Sequence, residues 1–239
     1  MGSGFIGELL GTMTLVLFGD GVVAQVLLSK SKGQNSGWIV ITAGWAFAVL
    51  CGVLVAAAAG GSGHLNPAVT IAFAAVTGDW SHVATYIPAQ FIGAFIGAVL
   101  VWLAYLPHWE ETSDPGLKLA VFCTGPAIRN TGANIICEII GTFALLFVVA
   151  AIGAKSVGTP GYFGPYIVAM LVWGIGLSLG GPTGYAINPA RDLAPRLAHA
   201  ILPIPGKGGS DWAYGWIPVF APIVGGLIGL FVAKAAGML

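Results

Sequence analysis

Apolar residues run along this chain in long blocks, and polar positions gather between the blocks. A helix that crosses a hydrocarbon core of about 30 Å needs about 20 apolar residues. Six stretches reach that length, at roughly 4–28, 38–59, 83–106, 134–154, 162–180 and 215–236. None shows the alternating ten-residue segments of a membrane β-barrel, so all are predicted to be helices. The first is not read as a cleaved signal, because no basic stretch precedes it and Glu8 and Asp20 interrupt it. Two further apolar segments are too short to cross. Pro67–Thr77 follows Gly60-Gly61-Ser62-Gly63, and 189–200 follows Gly180-Gly181-Pro182-Thr183-Gly184. Each makes about three turns, ~17 Å, or half a bilayer. In both, Asn precedes Pro: Asn is a good helix cap and Pro loses nothing at the first helical position. The pattern predicts two re-entrant half-helices.

Composition agrees with the pattern. Of 239 residues 57% are hydrophobic and only 8% charged, with Lys+Arg 9 against Asp+Glu 9. Soluble domains average about 25% charged residues. These values exclude an ordinary soluble domain, a disordered chain and an electrostatic nucleic-acid binder. The three cysteines are scattered, which excludes a disulfide scaffold. The lipid bilayer is the expected environment.

The chain also repeats itself. Glu8-Leu9-Leu10-Gly11-Thr12 matches Glu138-Ile139-Ile140-Gly141-Thr142, and Asn66-Pro67-Ala68 matches Asn188-Pro189-Ala190. Ile92-Gly93-x-x-Ile96-Gly97 matches Val224-Gly225-x-x-Ile228-Gly229, in the same order. Each half holds three spans and one half-span. Three is odd, so the second half enters from the opposite face, as an inverted repeat about an axis in the membrane plane. The halves are 1–106 and 134–239, joined by a polar connecting loop at 107–133. The glycine pairs read as helix-packing faces.

An inverted repeat brings the two half-helix N-termini together near the midplane, each with about +0.5 of a charge from its peptide dipoles. Asn66 and Asn188 are expected there with amide groups free to donate. Gly61, Ser62, Gly63 and His64, and Thr183 and Gly184, are expected to run extended and offer carbonyls along a pore, because irregular backbone at this depth must be buried or line water. Donors at the centre and acceptors along the wall suit a permeant with hydroxyl groups. Glu8 and Glu138 admit two readings. They could couple a proton- or ion-driven secondary transporter, or accept hydrogen bonds from the N–H groups of their own half's loop. His64 reads as a pH gate or as a locally bonded loop residue. Asp20 has no counterpart in the second half and is read as lying near an interface. No metal-ligand spacing and no nucleophile–base motif is present, so neither an enzyme nor a cofactor is expected.

Paired Asn-Pro-Ala triplets, each in a half-sized apolar segment of an inverted repeat, resemble the major intrinsic proteins along the whole chain. His64-Leu65-Asn66-Pro67-Ala68-Val69-Thr70 and Gly184-Tyr185-Ala186-Ile187-Asn188-Pro189-Ala190-Arg191-Asp192 look like the two signature loops. Asp192 and Arg196, with Pro218-Val219 in the last span, resemble the glycerol-conducting branch. The resemblance implies an all-α aquaporin-like fold and a passive homotetrameric channel for glycerol, water and similar neutral solutes such as urea, hydrogen peroxide or neutral lactic acid. It implies an outer constriction of Trp45, Gly176, Tyr185 and Arg191, where the arginine donates to hydroxyls and repels cations. Trp45 takes its place there if the first signature loop holds one extra residue, and ungapped counting selects Ala46. A small residue at Gly176 is expected to widen that constriction. The family's orientation, with both termini cytoplasmic, puts Lys30, Lys32, Lys118, Arg129, Arg196 and Lys207 outside, against the positive-inside rule.

Overall fold

The computed structural model describes residues 3–239; Met1 and Gly2, at the start of the expected first half, lie outside the described residues. Eleven α-helices are present among the described residues, and no strand. In chain order they are α1 (Ser3–Leu27), α2 (Trp38–Ala58), α3 (Pro67–Thr77), α4 (Val83–Ala104), α5 (Leu106–Glu111) and α6 (Pro115–Phe122). Then come α7 (Thr131–Gly153), α8 (Gly164–Leu179), α9 (Pro189–Ile201), α10 (Trp212–Gly215) and α11 (Ile217–Ala235). Among the described residues, five segments are long and apolar enough to cross a membrane: Gly4–Leu27, Trp38–Ala58, Val83–Ala104, Thr131–Gly153 and Trp212–Ala235. The expected span at 162–180 is shorter. A 3-10 turn at Gly161–Phe163 takes its first residues, and Pro165, in the first turn of α8, leaves a helix of 16 residues.

Small residues set the packing. A Cβ on Gly93 of α4 would lie 2.2 Å from the Leu9 carbonyl oxygen of α1, and one on Gly225 of α11 would lie 2.3 Å from the Ile139 oxygen of α7. Only glycine permits these approaches. In lipid, where burial of apolar surface supplies little drive, such contact is what holds helices together. Thus α1 packs on α4 and α2, and α7 packs on α11 and α8.

The half-helices begin where Asn and Pro stand together. The Ala68 amide donates to Asn66 Oδ1 at 2.9 Å, and the Ala190 amide to Asn188 Oδ1 at 3.0 Å. At its far end α3 stops at Gly78, whose φ of 81° is the left-handed cap glycine accepts freely. The end of α9 is closed by a side chain. Lys207 Nζ donates to the carbonyls of His199, Ala200 and Leu202 at 2.6, 2.8 and 2.6 Å, a cation at the negative end of the helix dipole. Each half-helix lies against the last long helix of the other half, α3 on α11 and α9 on α4.

The connecting segment differs from the polar loop expected at 107–133. It folds as α5 and α6, with Trp109 and Phe122 fully buried and their rings stacked, centroids 5.5 Å apart. Lys118 is buried as well, its ammonium on the Pro205 carbonyl.

A candidate permeation path between two half-helix tips

The two tips are tied by a pair of crossed hydrogen bonds. Asn66 Nδ2 donates to the Ile187 carbonyl at 2.8 Å, and Asn188 Nδ2 donates to the Leu65 carbonyl at 2.8 Å. Leu65 and Ile187 both have left-handed backbone, with φ of 53° and 43°, which is rare for residues of this shape. That turn aims each carbonyl at the opposite asparagine. An amide nitrogen carries two hydrogens, so each asparagine has one committed across the junction and one left over. Sequence reasoning expected both to be free.

The repeated carboxylates hold the loops that carry these carbonyls. The amides of His64 and Leu65 donate to Glu8 Oε1 and Oε2 at 2.8 and 2.7 Å, and Gln90 Nε2 adds a third bond at 2.9 Å. In the second half the amides of Ala186 and Ile187 donate to Glu138 at 3.0 and 2.9 Å, and the Thr183 hydroxyl donates at 2.7 Å. Both carboxylates are buried and satisfied, as a charge at this depth must be.

Beside the junction lies a cavity of about 380 Å³. Its lining combines the loop stretches Ser62–Asn66 and Tyr185–Asn188 and the Arg191 side chain with apolar helix residues, among them Leu15, Val49, Val53, Leu145, Leu146, Val149, Val168 and Val172. A smaller cavity of about 240 Å³ shares Ser62, His64 and Phe73 with it and leads on to Thr77, Asp79 and His82 between α3 and α4. At that mouth hydrogen bonds from Ser81 hold the exposed Asp79 carboxyl below its usual range. His64 is bonded locally: Nδ1 lies 3.1 Å from the Thr70 hydroxyl and the ring stacks on Phe73.

The expected site residues do not all reach the cavity. Ser62, Gly63 and His64 line it, whereas Gly61, Thr183 and Gly184 do not. Gly61 is drawn against Gly7 and bonds the Ala56 carbonyl at 2.8 Å. Thr183 is turned inward onto Glu138, and Gly184 closes the turn onto Gly180. In the second loop the lining therefore starts at Tyr185. Pro67, Ala68, Pro189 and Ala190 are buried between the half-helices and their neighbours.

Trp45 and Arg191 meet in the lining of the cavity, to which Tyr185 also contributes. The guanidinium carbon of Arg191 lies 4.1 Å from the centroid of the Trp45 ring, a cation–π contact, and Nη1 donates to the Phe122 carbonyl at 3.3 Å. Trp45, rather than Ala46, faces the cavity. Gly176 does not line it. A Cβ there would come within 2.9 Å of the Tyr185 ring and of Thr42, so this glycine makes room for the tyrosine. Asp192 and Arg196 act behind the path. The Thr124 amide and hydroxyl donate to Asp192 at 2.8 and 2.7 Å, and Arg196 Nε donates to it at 2.8 Å. Arg196 also reaches the Ser210 and Thr124 carbonyls, so the pair locks the connecting segment and the segment before α10 onto α9.

A profile of the family described as Major intrinsic protein matches residues 3–233. The chain belongs to the major intrinsic protein family. Its similarity to the probable glycerol uptake facilitator protein of Thermotoga maritima is 60% identity, covering 94% of this chain and 95% of that one. With the glycerol uptake facilitator protein of Bacillus subtilis it shares 56% identity over 97% of this chain and 84% of the relative. The fold is similar to the X-ray structure of the aquaglyceroporin from Plasmodium falciparum, with a TM-score of 0.86 and 30% identity, covering 98% and 96% of the two chains. Membership in the family, with the long apolar helices, makes this a multi-pass membrane protein of aquaporin-like fold.

Sequence reasoning missed several residues of this major intrinsic protein's site. Gln90 ties Glu8 to Thr70, and Phe122 and Thr124 reach the arginine end from the connecting segment. Asp20, read as near an interface, is fully buried with Oδ1 3.6 Å from Arg191 Nη1. A carboxylate inside an apolar span was the available signal for it.

Proposed function

We propose that this protein is a passive channel for glycerol, water and other small uncharged solutes. The observation that carries the proposal is the crossed pair of asparagine bonds at the half-helix tips, beside a cavity lined by both loop backbone and apolar helix side chains. A polyol needs both kinds of lining: hydroxyls bond to the loop carbonyls and the spare Asn66 and Asn188 hydrogens, and carbons slide on the valines and leucines. The relatives named as glycerol facilitators support glycerol as the main solute. Two helix dipoles pointing at the lumen oppose cations and interrupt a chain of hydrogen-bonded water. Trp45, Tyr185 and Arg191 form the selective constriction, with Gly176 as its support. Coupling through Glu8 and Glu138 is the weaker reading, since both carboxylates are already occupied by backbone donors.

The working unit is an inverted repeat of 1–106 and 134–239. The protein assembles as a homotetramer in the cell membrane with both termini cytoplasmic, and it binds no nucleic acid. Glycerol uptake into proteoliposomes, followed by stopped-flow light scattering, tests the function. Flux should exceed that of empty vesicles, with a low activation energy and no dependence on a proton or sodium gradient. Flux equal to empty vesicles, or uphill accumulation, overturns it. Urea, hydrogen peroxide and lactic acid below its pKa belong in the same panel.

A further inference from the structure

Arg191 is the one member of the constriction with a full charge, and its surroundings are asymmetric. On one side lies the lumen. On the other lies Asp20 of α1, fully buried, with Oδ1 3.6 Å from Nη1. Neither Asp20 oxygen has a hydrogen-bond partner among the described residues. A buried carboxylate with no donor is expensive unless an opposite charge stands beside it. Here that charge is Arg191. The neighbouring residue serves the same wall: a Cβ on Gly19 would fall 2.2 Å from the Trp45 ring, and that ring is the one stacked on the guanidinium. Successive residues of α1 therefore admit the tryptophan and face the arginine.

A bare guanidinium in a narrow low-dielectric passage attracts and retains anions. A carboxylate directly behind it cancels most of that field in the lumen and leaves the N–H groups able to donate. We propose that Asp20 is the positioning residue and counter-charge of the Arg191 constriction, and that it makes the path refuse small anions. This rests on the permeation reading above, and glycerol flux through the wild-type protein is the control that tests that reading separately.

The test measures nitrate, sodium and glycerol flux in the same proteoliposomes for wild type, Asp20→Asn, Arg191→Gln and the double variant. In Asp20→Asn an uncompensated positive charge should raise the nitrate-to-glycerol ratio by on the order of tenfold. In Arg191→Gln an uncompensated negative charge should raise the sodium-to-glycerol ratio by a similar factor. The double variant, with neither charge, should return both ratios to within about twofold of wild type, as expected when two residues act as a unit. A merely structural Asp20 would lower all fluxes together and leave the ratios unchanged. Unchanged ratios in Asp20→Asn overturn the proposal, because they are what a permanently protonated Asp20 gives. Leaks that persist in the double variant overturn it too. If Asp20→Asn does not fold, the comparison of Arg191→Gln with the double variant decides, through the rise and reversal of sodium flux.

Discussion

Gly176 is small because the Tyr185 ring occupies the space a side chain would take. A methyl group added there must press on the ring, which lines the cavity. Gly176→Ala should therefore lower glycerol flux by on the order of fivefold, about 1 kcal/mol, and water flux less. Parallel stopped-flow traces with glycerol and sucrose gradients measure both. Glu138 gives a different kind of prediction. Three donors converge on it, and an amide in its place brings an N–H where only acceptors are wanted. Glu138→Gln should cost about 1.5–3 kcal/mol of stability, read as a lowered melting temperature in detergent. The paired glutamates and asparagines are visible in the sequence because the repeat duplicates them. The pairing of Asp20 with Arg191 is not, and the reason is physical. Arg191 occurs in one half only, with Val69 at the matching place. A counter-charge to an unrepeated residue is itself unrepeated, so a search by symmetry passes over it.

At the scale of the element, helix length follows from apolar runs and breakers, and those are written in the sequence. The start of α3 and α9 at Asn-Pro is an example. Elements made by tertiary contact are harder to read. Around α5 and α6 the polar residues Glu110, Glu111 and Asp114 suggest a loop, yet burial of Trp109 and Phe122 folds the segment. The close helix pairs make a sharp prediction. Gly93→Leu forces α4 off α1, because even a Cβ would stand 2.2 Å from the Leu9 oxygen. The variant should be absent from the folded peak in detergent size exclusion, and Gly93→Ala should lose about 1–3 kcal/mol. The end of α9 is more tolerant. Lys207→Met removes the cation from three carbonyls and should cost up to about 2 kcal/mol, with the helix otherwise intact by circular dichroism.

Across the whole molecule the two halves are interlocked rather than adjacent. Each half-helix packs on the far half's last long helix, and each asparagine bonds to the far half's loop. Neither half should fold alone. Fragments cut between α5 and α6 should fail separately in membranes, and co-expression should restore both a folded complex and glycerol flux. Folded, stable halves would contradict the interlock. The crossed bonds also set an order of events during synthesis. Asn188 stands 123 residues after Leu65. At about 5–20 residues per second, the first loop therefore waits roughly 6–25 s with its tip unpaired. Through that interval the nascent chain holds a half-built junction, which only the second half of the chain can complete.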